Sequence, residues 1–295
     1  MQIESKGFNI SLNVIFVLLA VLTVFPVLLV FSISFTDQSA IAKFGYQLIP
    51  STFSLDAYRY IFSSGMGIGR AYGVTIFATV VGTAISVLVI ALYAYPLSRS
   101  GFLGKGALTF FIFFTMLFSG GMVSWYMIMT KVLKLSNTVW ALILPYAMNA
   151  WYVIIMRTFF QTSVPDALIE AAKIEGAGEF KILFKVVFPI SLPAIATIAL
   201  FQTLTYWNDW YNPMLLITNP KLYNLQFLLQ VMMKNIQMLS DGSMDSGVMS
   251  SLASNIPEES VRMALCVIAM GPILIVYPFF QKYFIQGLTV GAVKG

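Results

Sequence analysis

Histidine is absent from all 295 residues, which removes the commonest general base and metal ligand available at neutral pH. A single cysteine, Cys266, lies inside an apolar run, so no intrachain disulfide can form and no thiolate cluster offers a zinc site. We expect Cys266 to serve packing, and we expect no metal and no catalytic centre in the chain. Charge is scarce as well: 10% of residues are charged, against about a quarter in a soluble domain. The net charge of +5 is spread between apolar runs without a basic patch, which argues against nucleic acid as a partner. A nucleotide-binding Gly-x-x-x-x-Gly-Lys-Ser/Thr loop is missing too; "GFLGKGA" at 101–107 fails the spacing.

What the chain has in abundance is apolar length, with 59% hydrophobic residues. Six runs, at about 12–34, 71–97, 107–130, 137–160, 190–217 and 262–285, approach or exceed the roughly 20 residues that carry a helix across a bilayer. They are too long and continuous for barrel strands, and a lipid-exposed backbone must satisfy its hydrogen bonds internally. The expected fold is therefore all-α and integral to the membrane, a six-transmembrane-helix bundle. Pro26, Pro96, Pro145, Pro193, Pro272 and Pro278 fall in or at the ends of these runs, so some helices should bend. The first run is longer than a typical signal core and is read as a retained anchor. Charge does not orient the bundle: with both ends inside, nine basic residues lie on the inner side and eight on the outer.

Two connecting segments, 35–70 and 218–261, are long enough to be functional. The second holds "YNLQFLLQVMMKNIQ", a helical pattern, followed by the turn chemistry of "SDGSMDSG". A third segment, 161–189, contrasts with everything around it: between 165 and 189 it carries four acids and three lysines. Ser163 and Asp166 have capping-box spacing and Pro165 suits a first helical turn, so a helix is expected to start there. It should end at "GAG", 176–178, with a second short helix following up to Pro189. The small residues Ala171, Ala172, Gly176, Ala177 and Gly178 suggest close approach of another backbone, with an amphipathic connector on the headgroups as the alternative.

"EAAKIEGAGEFKILFKVVFP" resembles the loop of ABC importer membrane subunits, in which Glu-Ala-Ala, three residues, Gly, nine residues and an apolar-x-apolar-Pro ending recur. The matching positions are Glu170, Ala171, Ala172, Gly176, Val186, Phe188 and Pro189. Glu175 stands where related sugar permeases usually carry Asp, and Phe188 where Leu is usual. "FSGGM" at 118–122, "NTVWALILP" at 137–145, "IIMRTFF" at 154–160, "YWNDWYNP" at 206–213 and "GLTVGAVKG" at 287–295 extend the likeness. The chain is thus similar to binding-protein-dependent carbohydrate importer permeases of the maltose-like class, nearest the Lpl and Ytc type of Gram-positive bacteria.

The resemblance implies a type I ABC importer permease fold spanning 12–290, with a cytoplasmic N-terminus at 1–11 and a cytoplasmic tail at 287–295. It makes 161–189 the coupling loop, seated in a partner ATPase through Glu170, Ala171, Ala172, Gly176 and Ala177, with Gly287 and Lys294 in a tail that reaches the same partner. Both termini would be cytoplasmic in a bacterial plasma membrane. ATP and Mg would sit on a dimeric ABC ATPase, with no cofactor in this chain. A second homologous permease and an extracytoplasmic solute-binding lipoprotein would complete the assembly around an oligosaccharide.

The residues themselves offer one candidate for sugar contact. Sugars are held by aromatic faces together with carboxylates and amides, and Tyr206, Trp207, Asn208, Asp209 and Trp210 supply both kinds. Tyr126, Tyr146 and Asn149 are neighbouring candidates. Asp209 is an intramembrane acid and so a functional candidate, while the aromatics read equally as an interfacial belt. An ion-coupled secondary transporter using Asp209 is the competing function, and a membrane enzyme a weaker one.

Overall fold

A computed structural model describes residues 6–63, 65, 67–240 and 258–292. Among them helix dominates and the β-structure is one isolated antiparallel bridge, Thr36 to Phe53. The backbone divides into two compact units, one comprising residues up to 66 with 229–272, the other 67–228 with residues from 273 onward.

In the first unit, α1 (Lys6–Ser34) carries Pro26 without a break and has none of its apolar window buried. Lipid satisfies such a helix, because its backbone is hydrogen-bonded internally and its side chains need only an apolar solvent. Asp37 then caps the short α2 (Gln38–Phe44) by accepting from the Ser39 N–H at 2.9 Å. Phe35 stacks on Phe53 and Tyr58, with ring centroids 5.6 and 5.0 Å away, which folds α3 (Asp56–Ser63) back on the end of α1. Tyr46 donates to Glu259 at 2.7 Å in the same unit.

The second unit is organised by α4 (Ile68–Ser98), an unbroken 31-residue helix that carries Pro96 in its last turn. It packs along α7 (Ala150–Ser163) and α11 (Leu192–Trp207). Ile90, Ala91 and Ala94 of α4 meet Val153, Met156 and Phe160 of α7 and Ile198 of α11 in one core, while Ala78 joins Leu135, Leu142 and Leu216 in another nearer its start. At Gly82 the two helices come so close that a methyl group would lie 2.6 Å from the Tyr206 ring. Small residues allow such approach where packing, not hydrophobicity, holds helices together.

Three of the expected spans are not single straight helices. The run at 107–130 is α5 (Lys105–Leu117) followed by α6 (Gly121–Met127) and a π turn, and the two parts are bent by 119°. Gly121 sits in this break at φ +76°, a conformation glycine adopts without a Cβ penalty. The run at 137–160 begins as two 3-10 turns and bends by 52° into α7, where Asn149 accepts from the N–H groups of Trp151 and Tyr152. The third break, 85° at Ser191, precedes Pro193, which has no N–H to continue the ladder. Three helices are continuous candidates for crossing a membrane among the described residues, and six if each bent pair counts as one.

After α12 (Tyr211–Leu216) comes α13 (Leu225–Ser240), covering the helical pattern seen in the sequence. It buries Leu225, Leu228, Leu229, Met232 and Ile236, one stripe at helical spacing. The turn-rich stretch from 241 to 257 lies outside the described residues. The last helix, α14, runs Glu258–Ala292.

Candidate functional site

The charged segment folds as a helix, a turn and a second helix. Its start differs from the capping-box expectation: Ser163 is the last residue of α7, and α8 (Asp166–Ile174) follows Pro165 with no side-chain cap. The reason is Pro165, since a residue before proline is driven to extended backbone. Val164 accordingly sits at φ −108°, ψ 105°, which stops one helix before the next begins.

The end of α8 is as expected, and the geometry shows why glycine stands there. Gly176 has φ +77°, its N–H bonds Lys173 O at 2.9 Å, and the Ala177 N–H bonds Ala172 O at 2.9 Å. These two bonds make a Schellman motif, which closes the open carbonyls of the last turn. Among the described residues, chain neighbours aside, a methyl group at Gly176 or Gly178 would meet no atom within 4 Å. Within the chain, therefore, Gly176 answers a backbone requirement and not a steric one.

Ile169 is buried in the core below, and Ala172 and Ala177 pack partly against it. The opposite side of α8 is presented outward: Glu170 and Ala171 are exposed, Leu168 is 45% exposed and Ile174 87%. Beyond the turn, α9 (Glu179–Ile182) passes through a π turn, Leu183–Val187, and continues as α10 (Phe188–Ile190) through Pro189. Phe180 is 71% exposed beside the same surface.

Polar contacts tie this loop to the end of α4. Arg99 reaches Asp166 Oδ1 at 3.2 Å and donates to Phe160 O at 3.2 Å, while its guanidinium lies 5.6 Å from the Tyr95 ring centre. Glu179 accepts from Tyr95 at 2.6 Å and pairs with Lys173 at 2.7 Å. Hydrogen bonds from Lys173 and then Tyr95 hold the Glu179 carboxyl below the usual carboxylate range. Between loop and helix lies a cleft of about 780 Å³ lined by Tyr95, Arg99, Phe102, Glu170, Lys173 and Phe180. Of the expected tail residues, Gly287 lies within α14 and Lys294 falls outside the described residues.

The aromatic candidates separate into buried and open members. Asp209 is 5% exposed, and its carboxylate accepts from Tyr146 OH at 3.2 Å and from Tyr211 N–H, Asn212 N–H and the Asn212 amide, each at 3.1 Å. It thereby caps α12. Asn224 donates to its backbone carbonyl as well. Tyr206 is buried, donates to Ile143 O at 2.9 Å and meets Tyr146 edge-on with centroids 5.8 Å apart; Trp207 is buried too. Asn149 is exposed and caps α7. Asn208 is exposed, and Tyr126 and Trp210 are 41% and 40% exposed. Trp125 and Trp210 both approach Tyr211, with centroids 6.3 and 6.0 Å away.

One residue that joins two segments was not singled out from the sequence. Asn137, at φ +56°, accepts from the N–H groups of Thr218 and Asn219 at 2.7 and 2.9 Å and donates to Thr218 Oγ1 at 2.8 Å. Its signal was available, since an Asn between apolar runs is a residue that tolerates left-handed backbone.

Residues 87–290, from within α4 to the last turns of α14, match the family described as binding-protein-dependent transport system inner membrane component. The chain belongs to that family. It is 42% identical, over 99% of this chain and 100% of the relative, to the polygalacturonan/rhamnogalacturonan transport system permease protein YtcP of Bacillus subtilis. Protein LplC of the same organism is 40% identical over 93% of this chain and 90% of its own length. A solved structure of a bacterial ABC transporter involved in the import of the acidic polysaccharide alginate superposes with a TM-score of 0.80 at 30% identity, covering 96% of this chain and 100% of that one. The chain is accordingly an inner-membrane permease subunit of an ABC importer and not an enzyme, and its fold is that of type I importer permeases. That membership sets aside the ion-coupled reading of Asp209, whose carboxylate is already committed to capping.

Proposed function

We propose that the chain forms half of a pathway for an oligosaccharide, paired with a second homologous permease and supplied by an extracytoplasmic solute-binding lipoprotein. Segment 161–189 is its coupling loop, docked in a dimeric ABC ATPase that holds ATP and Mg, and both termini lie on the ATPase side of a bacterial plasma membrane. The observation that carries the reading is the form of α8: one face seated on the core through Ile169, with Ala171 and Ile174 exposed opposite it, Leu168 and Glu170 exposed on its flanks, and a rigid Schellman end. Partner closure then becomes a rigid-body displacement of a preformed element.

For the substrate, the names of the relatives point to oligosaccharides, and those of YtcP and the alginate importer to uronate-containing ones first. The open aromatics Tyr126 and Trp210, with Asn208, are the surfaces we assign to sugar contact; Tyr146, Tyr206, Trp207 and Asp209 hold them in place, and Asn149 shapes the start of α7. The test is the complex reconstituted with its partner permease, ATPase and binding protein. Glu170→Ala should lower binding-protein-stimulated ATP hydrolysis and weaken assembly, whereas unchanged hydrolysis and uptake would contradict docking through α8. Uptake of labelled oligogalacturonides against maltodextrins decides the sugar class.

A further inference from the structure

The coupling helix α8 is covalently continuous with α7 on one side and with α9 to α11 on the other. The second route is poorly suited to carrying a displacement into the membrane, because it passes through the π turn at 183–187 and then an 85° break at Ser191. The long helix α4 has no such interruption over its 31 residues, and it packs along both α7 and α11. It has no covalent link to the loop.

We propose that Tyr95, Arg99 and Glu179 act as positioning residues that link the coupling loop to α4, so that movement of the docked loop is delivered to this helix directly. The proposal rests on the docking reading given above. The starts of both short helices are tied to the end of α4: Asp166, the first residue of α8, pairs with Arg99, the capping residue just after α4, and Glu179, the first residue of α9, accepts from Tyr95 in the last turn of α4. Arg99, where the backbone leaves the helix, folds its guanidinium back over the Tyr95 ring, 5.6 Å from its centre. Arg99 is also held in place by Ser98 Oγ at 2.9 Å and Phe160 O at 3.2 Å, with its side chain only 12% exposed. The 2.6 Å bond from Tyr95 to the ionised Glu179 is charge-assisted and directional.

The cleft beside these contacts gives the second observation. Beside the packed core that Ile169 and Leu183 share with Leu97, loop and helix face each other across a cleft of about 780 Å³, and there it is the polar links that bridge them. Because the Asp166 end of the Arg99 pair is 69% exposed, the pair adds little to stability. Such a link suits transmission between moving parts better than it suits holding a fold together.

The test is the ratio of sugar imported to ATP hydrolysed in proteoliposomes holding the whole transporter with its binding protein. The double variant Tyr95→Phe, Glu179→Gln, and separately Arg99→Gln, should leave stimulated hydrolysis within about twofold while import per ATP falls by about fivefold or more, the lower range of measured coupling between sites. Tyr95→Phe keeps the ring in the core, and the amount of intact complex reports on folding. If import and hydrolysis fall in parallel, or if neither changes, the link is structural and the proposal is wrong. Glu170→Ala, run alongside, separates the two readings: if it affects neither assembly nor hydrolysis, docking itself fails and the link with it.

Discussion

Gly82→Ala tests a close contact between α4 and α11. The added methyl carbon would stand 2.6, 2.7 and 2.8 Å from three atoms of the Tyr206 ring, where carbon atoms at rest sit about 3.5–4.0 Å apart. The ring has little room to yield. It is 2% exposed, its hydroxyl is bonded to Ile143 O at 2.9 Å, and its face is met by Tyr146. Overpacking alone costs about 1–3 kcal/mol. If Tyr206 swings aside, the buried Ile143 carbonyl loses its donor at a further cost of about 1–3 kcal/mol. Together these amount to roughly 2–6 kcal/mol, which should lower the apparent melting midpoint of the detergent-solubilised transporter by about 4–24 °C at about 2–4 °C per kcal/mol. Size-exclusion recovery after stepwise heating reads that shift. Tyr206→Phe should not rescue Gly82→Ala, because the clashing ring atoms remain, whereas Tyr206→Ser should make the alanine tolerable at its own lower baseline. A melting midpoint unchanged by Gly82→Ala, or equal rescue by Phe and Ser, would refute the contact argument.

Three further outcomes follow from the same geometry. At Gly176, held at φ +77° with open space around it, Ala should cost about 1–2 kcal/mol of left-handed strain, and Asn should cost less; ATPase binding by the two variants in a pull-down titration checks this, and equal losses would mean that the partner, not the backbone, demands glycine. Asn137→Ala removes four hydrogen bonds with Thr218 and Asn219, and should destabilise by about 2–4 kcal/mol at the low net values of exposed bonds plus backbone strain, read as faster proteolysis near 218. The Glu179 pair is pH-dependent in a known direction: the folded carboxyl is depressed, chiefly by Lys173, so its modest contribution is complete above the unfolded carboxylate range and is lost as pH falls through the folded value. Protection factors for amide exchange across 173–180, corrected for the intrinsic pH dependence of exchange, should therefore fall in acid more than in a Glu179→Gln variant.

Much of this was legible because it is periodic or local. Apolar length announced the helices, and "EAAKIEG" announced a helix with a glycine stop, which Gly176 then makes through two backbone bonds. What the chain did not announce were places where one residue answers a distant one. Arg99 reads as a charge at the end of an apolar run, yet it grips Phe160 and Asp166, and its partners are 61 and 67 residues away. Asp209 is ambiguous as a letter: an acid among aromatics suits a sugar as well as a helix start, and of the four donors that surround it in the fold, the Tyr146 hydroxyl comes from a residue whose approach no local pattern shows. Hydropathy is blind to the breaks at Gly120, Asn149 and Ser191 for a related reason, since a kinked helix and a straight one have the same composition. Ser163 misled because a capping box is a pattern of side chains, while the boundary was set by the proline two residues on.

The bare surface of α1 has a consequence for how the chain tolerates change. Within its own unit none of the described residues covers its apolar window, so no contact there checks the shape of Ile15, Phe16, Leu18 or Leu22. For most of this helix, spelling is free and only the vocabulary is fixed: swaps among large apolar residues should pass silently where the same swaps at Ile90 or Met156 would not. A sequence family sampled at α1 would record the oiliness of its membrane, and the memory of the fold would be kept elsewhere.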